Sequence, residues 1–114
     1  MTVCWLHMTQ KQIIDAAERV GWTCKITKEK YGLCIDFSTD SPCGQDVYAE
    51  ITVSTLDKVA DEMYEYWRSY DPAEAAVMWY GQHRGEPKSL RKLLADMDWV
   101  DEMLHELSEE LYKL

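Results

Sequence analysis

No apolar run in this chain extends beyond a few residues. The amino terminus, Met1-Thr2-Val3-Cys4-Trp5-Leu6-His7-Met8, has neither a basic start nor a long apolar segment. A membrane-spanning helix needs about 20 apolar residues and a secretion signal needs both missing features. Neither is expected, and the reading is of a cytoplasmic protein. Zinc-module spacing is absent too, because Cys4, Cys24, Cys34 and Cys43 include no pair separated by two residues. Reduced thiols are the expectation; a Cys24–Cys34 disulfide is the alternative if those residues lie on paired strands. The chain lacks a Gly-x-Ser-x-Gly elbow and a local Cys/His signature, and Gly32, Gly44, Gly81 and Gly85 are too isolated to form a phosphate loop. His7, His83 and His105 are far apart. Glu102-Met103-Leu104-His105 does match one Glu-x-x-His half of a di-iron carboxylate bundle, but no second copy follows. No catalytic residue, metal or cofactor is therefore expected, and the chain is read as non-enzymatic.

What is abundant is negative charge, and it is regional. Residues 1–30 hold five basic and three acidic groups, whereas residues 31–114 hold seven and eighteen; the whole chain carries a net charge of −9. Such a surface repels nucleic acid and anionic membranes and attracts a basic protein groove. Five tryptophans and seven tyrosines supply large side chains for a core or for contacts.

At 114 residues the chain has the size of one domain, read here as residues 1–114. Thr9 followed by Gln12 forms a capping-box pattern, and Ile13, Ile14, Ala16, Ala17 and Val20 make an apolar stripe ending at Gly21, which predicts a helix over 9–20. Three runs then suit strands: Thr23–Lys28, Leu33–Ser38 and Asp46–Val53. Leu33, Ile35 and Phe37 alternate with polar residues, as do Val47, Ala49, Ile51 and Val53. Short turn-rich connections make an antiparallel meander the economical topology. From Ser54 the period lengthens to about 3.6. Ser54 with Asp57 resembles a helix start, with Leu56, Val59, Ala60, Met63, Trp67 and Tyr70 on one face. Asp71-Pro72 starts another helix, with Ala73, Ala76, Val77 and Tyr80 on one face, running toward Gly81–Gly85. Pro87 and Ser89 open the last. The fold class is α+β, in the order αβββααα.

The last helix carries a heptad seam of Leu90, Leu93, Met97, Val100, Leu104, Leu107, Leu111 and Leu114. Either it packs inside the domain or it pairs two copies as a homodimer. Opposite the seam stand Asp96, Asp98, Asp101, Glu102, Glu106, Glu109 and Glu110, with no lysine or arginine between Leu93 and Tyr112. Seven charges over roughly 21 Å of helix give about one per 3 Å, near the roughly 3.4 Å between phosphates on a DNA strand. Basic residues at the start of this helix and acids at its end oppose the macrodipole preference, a cost the seam can carry. The acids form either a solvated face or a recognition face. Asp57, Asp61 and Glu65 repeat every four residues as a second ridge, and Asp36, Asp40, Asp46 and Glu50 add charge from the strands. Trp99 lies about 120° from the seam and Trp79 is likewise off its helix's apolar face. Each is either packed at the core's rim or an interface anchor.

The segment Phe37-Ser38-Thr39-Asp40-Ser41-Pro42-Cys43-Gly44-Gln45-Asp46, followed by Val47–Val53, resembles the Phe-Ser-x-x-Ser-Pro-x-Gly-x-Asp stretch of small uncharacterised acidic proteins from gut Firmicutes, their phages and mobile elements. Asp71-Pro72, Met78-Trp79, Pro87-x-Ser89 and Trp99-Val100-Asp101-Glu102-Met103-Leu104 are similar as well, so the likeness spans roughly residues 33–110. Cys43 and Gln45 depart from the alanine and glutamate expected there. The resemblance carries no established activity. It implies a context that includes inhibitors of host defence, such as anti-CRISPR and antirestriction proteins.

The expected function is that of an acidic inhibitor occupying the basic groove of a nucleic-acid-binding protein, such as a CRISPR nuclease or restriction enzyme, without itself binding nucleic acid or membrane. Asp96, Asp98, Asp101, Glu102, Glu106, Glu109 and Glu110 supply the field, Trp99 the anchor, and Asp57, Asp61 and Glu65 a second patch.

Overall fold

In a computed structural model, residues 9–83 and 90–114 are described, with the side chains of 79–83 outside that description. Helix α1 (Gln10–Arg19) starts at the capping box. Thr9 Oγ1 accepts the Gln12 N–H at 3.1 Å and Gln12 Oε1 accepts the Thr9 N–H at 2.9 Å, so two donors that no helical carbonyl can reach are satisfied. The helix ends at Gly21, whose φ of +89° suits a residue without Cβ.

Strands β1 (Thr23–Glu29), β2 (Gly32–Asp40) and β3 (Asp46–Val53) form an antiparallel sheet in the order β1-β2-β3. The two-residue turn Lys30-Tyr31 joins the first pair. Gly32, at its end, has φ +154°, and a Cβ there would collide with the Val53 carbonyl oxygen. The register aligns Cys24 with Phe37 and Ala49, and Ile35 with Ile51. These side chains are buried beneath α1, α2 and α4 in one core. The opposite face carries Lys25, Cys34, Asp36, Tyr48 and Glu50 and is polar, which is how a two-layer fold spends a period of two. The same register rules out the Cys24–Cys34 disulfide. Cys24 is buried opposite Phe37, whereas Cys34 pairs with Thr27 on the other face, and both are free thiols.

After β3 the chain tightens into a 3-10 turn, Leu56–Lys58, before α2 (Val59–Ser69). Ser54 is therefore not the cap; Thr55 holds that position and makes no side-chain capping bond. The expected face does form: Val59, Ala60 and Met63 are buried, and Leu56, Trp67 and Tyr70 pack partly buried against the core. Helix α3 (Pro72–His83) starts on Asp71, whose Oδ1 accepts the N–H groups of Ala73 (3.0 Å) and Glu74 (3.3 Å). Its inner face differs from expectation. Ala76 is buried and Ala75 half-buried, but Val77 and Met78 are 61% and 55% exposed. Small residues at 75 and 76 let α3 lie on α4, which turns Val77 outward. The burial of Trp79 and Tyr80, and the helix start expected at Pro87 and Ser89, fall outside the described residues.

Helix α4 (Leu90–Tyr112) lies across the other elements. Leu93, Met97, Val100, Leu104, Leu107 and Leu111 are all at most 3% exposed within the single chain, while Leu90 and Leu114 at the ends are 40% and 38% exposed. The seam is thus spent on the core, and pairing two copies through it would require opening the domain. Trp22, 1% exposed, locks α4 to the start of β1 by donating its indole N–H to the Met103 carbonyl at 3.1 Å. No helix among the described residues is long and apolar enough to cross a membrane.

Candidate functional site

The carboxylates singled out from sequence separate into two groups once α4 is docked. Asp96 is 2% exposed, and its Oδ1 accepts the Cys43 N–H at 3.1 Å, tying the β2–β3 loop to α4. It belongs to the fold, not to a recognition face, because it sits three residues after Leu93 and four before Val100, in phase with the seam. Glu110 is half-buried as well. Its Oε1 accepts from Arg19 Nε at 2.8 Å and its Oε2 lies 3.5 Å from Lys113 Nζ, so it clamps α4 to α1. The hydrogen bond from Arg19 holds its carboxyl below the usual glutamate range. On α2, Asp61 accepts the Tyr112 hydroxyl at 2.6 Å, a contact that pushes the phenol up to about 12. Asp57 is exposed, as is Glu65, 3.8 Å from Arg68.

The remaining acids converge. Asp101, Glu102, Glu106 and Glu109, spread over about two turns of α4, line a shallow groove of about 360 Å³ between α4 and α2, with Trp67 and His105 as its other walls. Glu102, Glu106 and Glu109 are exposed and Asp101 half-buried; Asp98 is exposed outside the groove. The Trp67 and His105 rings stack at 4.5 Å between centroids and 38° between planes. His105 Nδ1 lies 3.0 Å from Glu109 Oε1. Tyr64 continues the aromatic row, 5.7 Å from Trp67 and 6.1 Å from Tyr112. Trp67 Nε1 is enclosed without a hydrogen-bond partner among the described residues, a state that costs about 1–3 kcal/mol. Among the described residues, no lysine or arginine lines this groove.

Trp99, expected as a rim residue or an anchor, is half-buried and packs at the rim of the core. The aromatics among the acids are instead Trp67 and His105. Trp67 was legible only as a core-facing residue of α2, and nothing in its spacing connects it to His105.

Cys24 and Cys34 are poorly suited to nucleophilic chemistry. Burial pushes Cys24 up to about 11, with the charges of Asp36 and Glu18 adding to it. Cys34 also rises to about 11, through desolvation first and then a hydrogen bond to Glu50 and the nearby carboxylates. An activated cysteine needs the opposite shift. The ligand-type atoms of Cys34, Asp36 and Glu50 lie within 4.8 Å of one another on the open sheet face. They are the group among the described residues best placed to take a cation; Glu102 and His105 bring no such third donor with them.

No protein-family model, curated protein or solved structure matches the chain.

Proposed function

We propose that this protein is a non-enzymatic acidic binding protein, an inhibitor of the anti-CRISPR or antirestriction kind carried by a phage or mobile element. It occupies the basic nucleic-acid-binding groove of a host defence protein in the cytoplasm. The observation that carries this reading is the groove between α4 and α2, where four carboxylates gather around a stacked Trp67–His105 pair with no lysine or arginine among the described lining residues. Asp101 to Glu109 span about 12 Å of helix at 1.5 Å per residue, so the acids approach the phosphate spacing of one DNA strand. The rings add a flat surface over which an arginine guanidinium can lie, and carboxylates at the rim can take its N–H groups in pairs. The family resemblance supports the biological context.

Affinity capture from host lysate, at low and at raised salt, tests the reading. The expected result is one nucleic-acid-handling protein, released as salt shortens the Debye length from about 10 Å at 0.1 M toward 3 Å at 1 M. It should be absent from captures with Glu102→Lys/Glu106→Lys, a pair of exposed positions whose reversal leaves the fold intact. A partner that survives both changes, or none at all, overturns the reading.

A further inference from the structure

Helix α2 is a ridge with an acid-lined groove on each side, and the second groove borders a sheet edge. β3 is the last strand in the order β1-β2-β3. Between it and α2 runs an open cleft of about 510 Å³, walled on one side by Glu50 to Thr52 and on the other by Glu62, Glu65, Tyr66 and Tyr70. The register decides which way the backbone points. Glu29 and Gly32 flank a two-residue turn, so they form a hydrogen-bonded pair, and every second pair in that ladder does the same. Cys34 and Asp36 therefore spend their backbone groups on β1. Leu33, Ile35 and Phe37 spend theirs on Val53, Ile51 and Ala49. Glu50 and Thr52 are left with N–H and C=O directed away from the sheet, toward the cleft. Tyr48, two residues before Glu50, confirms the direction: its carbonyl accepts the Tyr66 hydroxyl from α2 at 3.4 Å. That bond closes one end of the cleft, and beyond it the edge is unpaired among the described residues.

An unpaired edge beside a helix is a template for strand addition, and the walls define what can add. Glu50, Glu62 and Glu65 contribute three carboxylates, and among the described residues no lysine or arginine lines the cleft, with Arg68 3.8 Å from Glu65 at its border. Glu50 and Glu62 are exposed. Asp36 stands beside Glu50 in the register and adds a further carboxylate, with Lys25 beyond it on β1. Tyr66 and Tyr70 form a half-buried aromatic floor, against which alkyl stems or guanidinium planes can pack.

We propose that the β3–α2 cleft binds an extended, arginine- or lysine-bearing segment of a partner protein as a fourth strand of the sheet. The backbone of Glu50 and Thr52 supplies the strand pairing, and Glu50, Glu62 and Glu65 select for cationic side chains. The inference rests on the reading above that the partner is basic, but it names a contact separate from the α4 groove.

The test uses a capped hexapeptide, Arg-Val-Arg-Val-Arg-Val, titrated to about 1 mM into the isotopically labelled full chain while backbone amide resonances are followed. Saturable shifts are expected at the Glu50 and Thr52 amides. Affinity should fall about tenfold or more, each tenfold being one decade in Kd, for Glu50→Lys/Glu62→Lys and for the same peptide with every backbone N–H methylated. Glu102→Lys/Glu106→Lys should bind the peptide with Kd changed by less than about threefold. Equal binding of the methylated peptide means attraction by charge alone and overturns the proposal, as do shifts confined to α4 or no shifts. If the peptide binds at β3 while lysate capture yields no basic partner, the cleft stands and the proposed function falls. If capture succeeds and depends on Glu102 and Glu106 while β3 stays silent, the function stands and the cleft falls.

Discussion

Along α4, Asp96 and Glu106 carry the same charge on the same helix, yet the fold consumes one and leaves the other to solvent. Asp96 is in phase with Leu93 and Val100, and the β2–β3 loop descends on it to donate the Cys43 N–H. Glu106 is two residues from Leu104 and lies out of phase, so it faces the groove beside Trp67 and His105. The contrast teaches that an acidic tract is not one object. A carboxylate within the apolar phase must be given hydrogen-bond partners or it destabilises the domain, whereas one outside that phase costs little and is free to meet a partner.

The division is broken most forcefully through the seam. Leu104→Ala should cost about 2–5 kcal/mol in urea unfolding because it empties a fully enclosed site, while Glu106→Gln should stay within about 0.5 kcal/mol. Comparable losses would mean that the acids of the groove are structural after all. Asp96 gives the next largest effect. Asp96→Ala removes the acceptor of the Cys43 N–H at this part-buried contact and should cost about 1–3 kcal/mol; Asp96→Asn, which keeps an acceptor oxygen there, should cost less by the same measurement. If the two variants are equally destabilised, the charge and not the hydrogen bond is what the loop requires.

The smallest effect is expected from pH. The carboxyl of Glu110 is held below its ordinary value of about 4.3 by the hydrogen bond from Arg19. Its stabilising contribution is therefore complete above that ordinary value and is lost as pH falls through the lower, folded one. Glu110→Gln should flatten this limb of the stability curve below pH about 4.3, and Glu106→Gln should leave it unchanged; identical curves for the two variants would remove the clamp between α1 and α4.

Much of this division is written in spacing. The three-and-four interval that places Asp96 among the leucines also applies to Ser108, four residues after Leu104 and buried at 1%, so both are readable as core positions. Glu110 is harder: nothing local tells that Arg19, at the far end of the chain, will reach it. The same limit applies to Trp67. Its helix declares an apolar face, but only docking on α4 brings the indole onto His105 and leaves Nε1 without a partner. Glu50 and Glu62 lie on a strand and a helix, and neither signals that a cleft will open between them.

The sequence by itself determined the order αβββααα, the meander, the capping of α1 and α3 and the apolar seam of α4. Each depends on side-chain period or on hydrogen bonds between residues a few positions apart, and these are local. Tertiary structure alone decided that the α4 seam turns into the domain's own core, that Glu110 becomes a clamp, that Cys24 and Cys34 face opposite ways, and that β3 has, among the described residues, an open edge beside α2. Those outcomes depend on strand register and helix docking, where residues distant in the chain compete for the same space and the same hydrogen bonds.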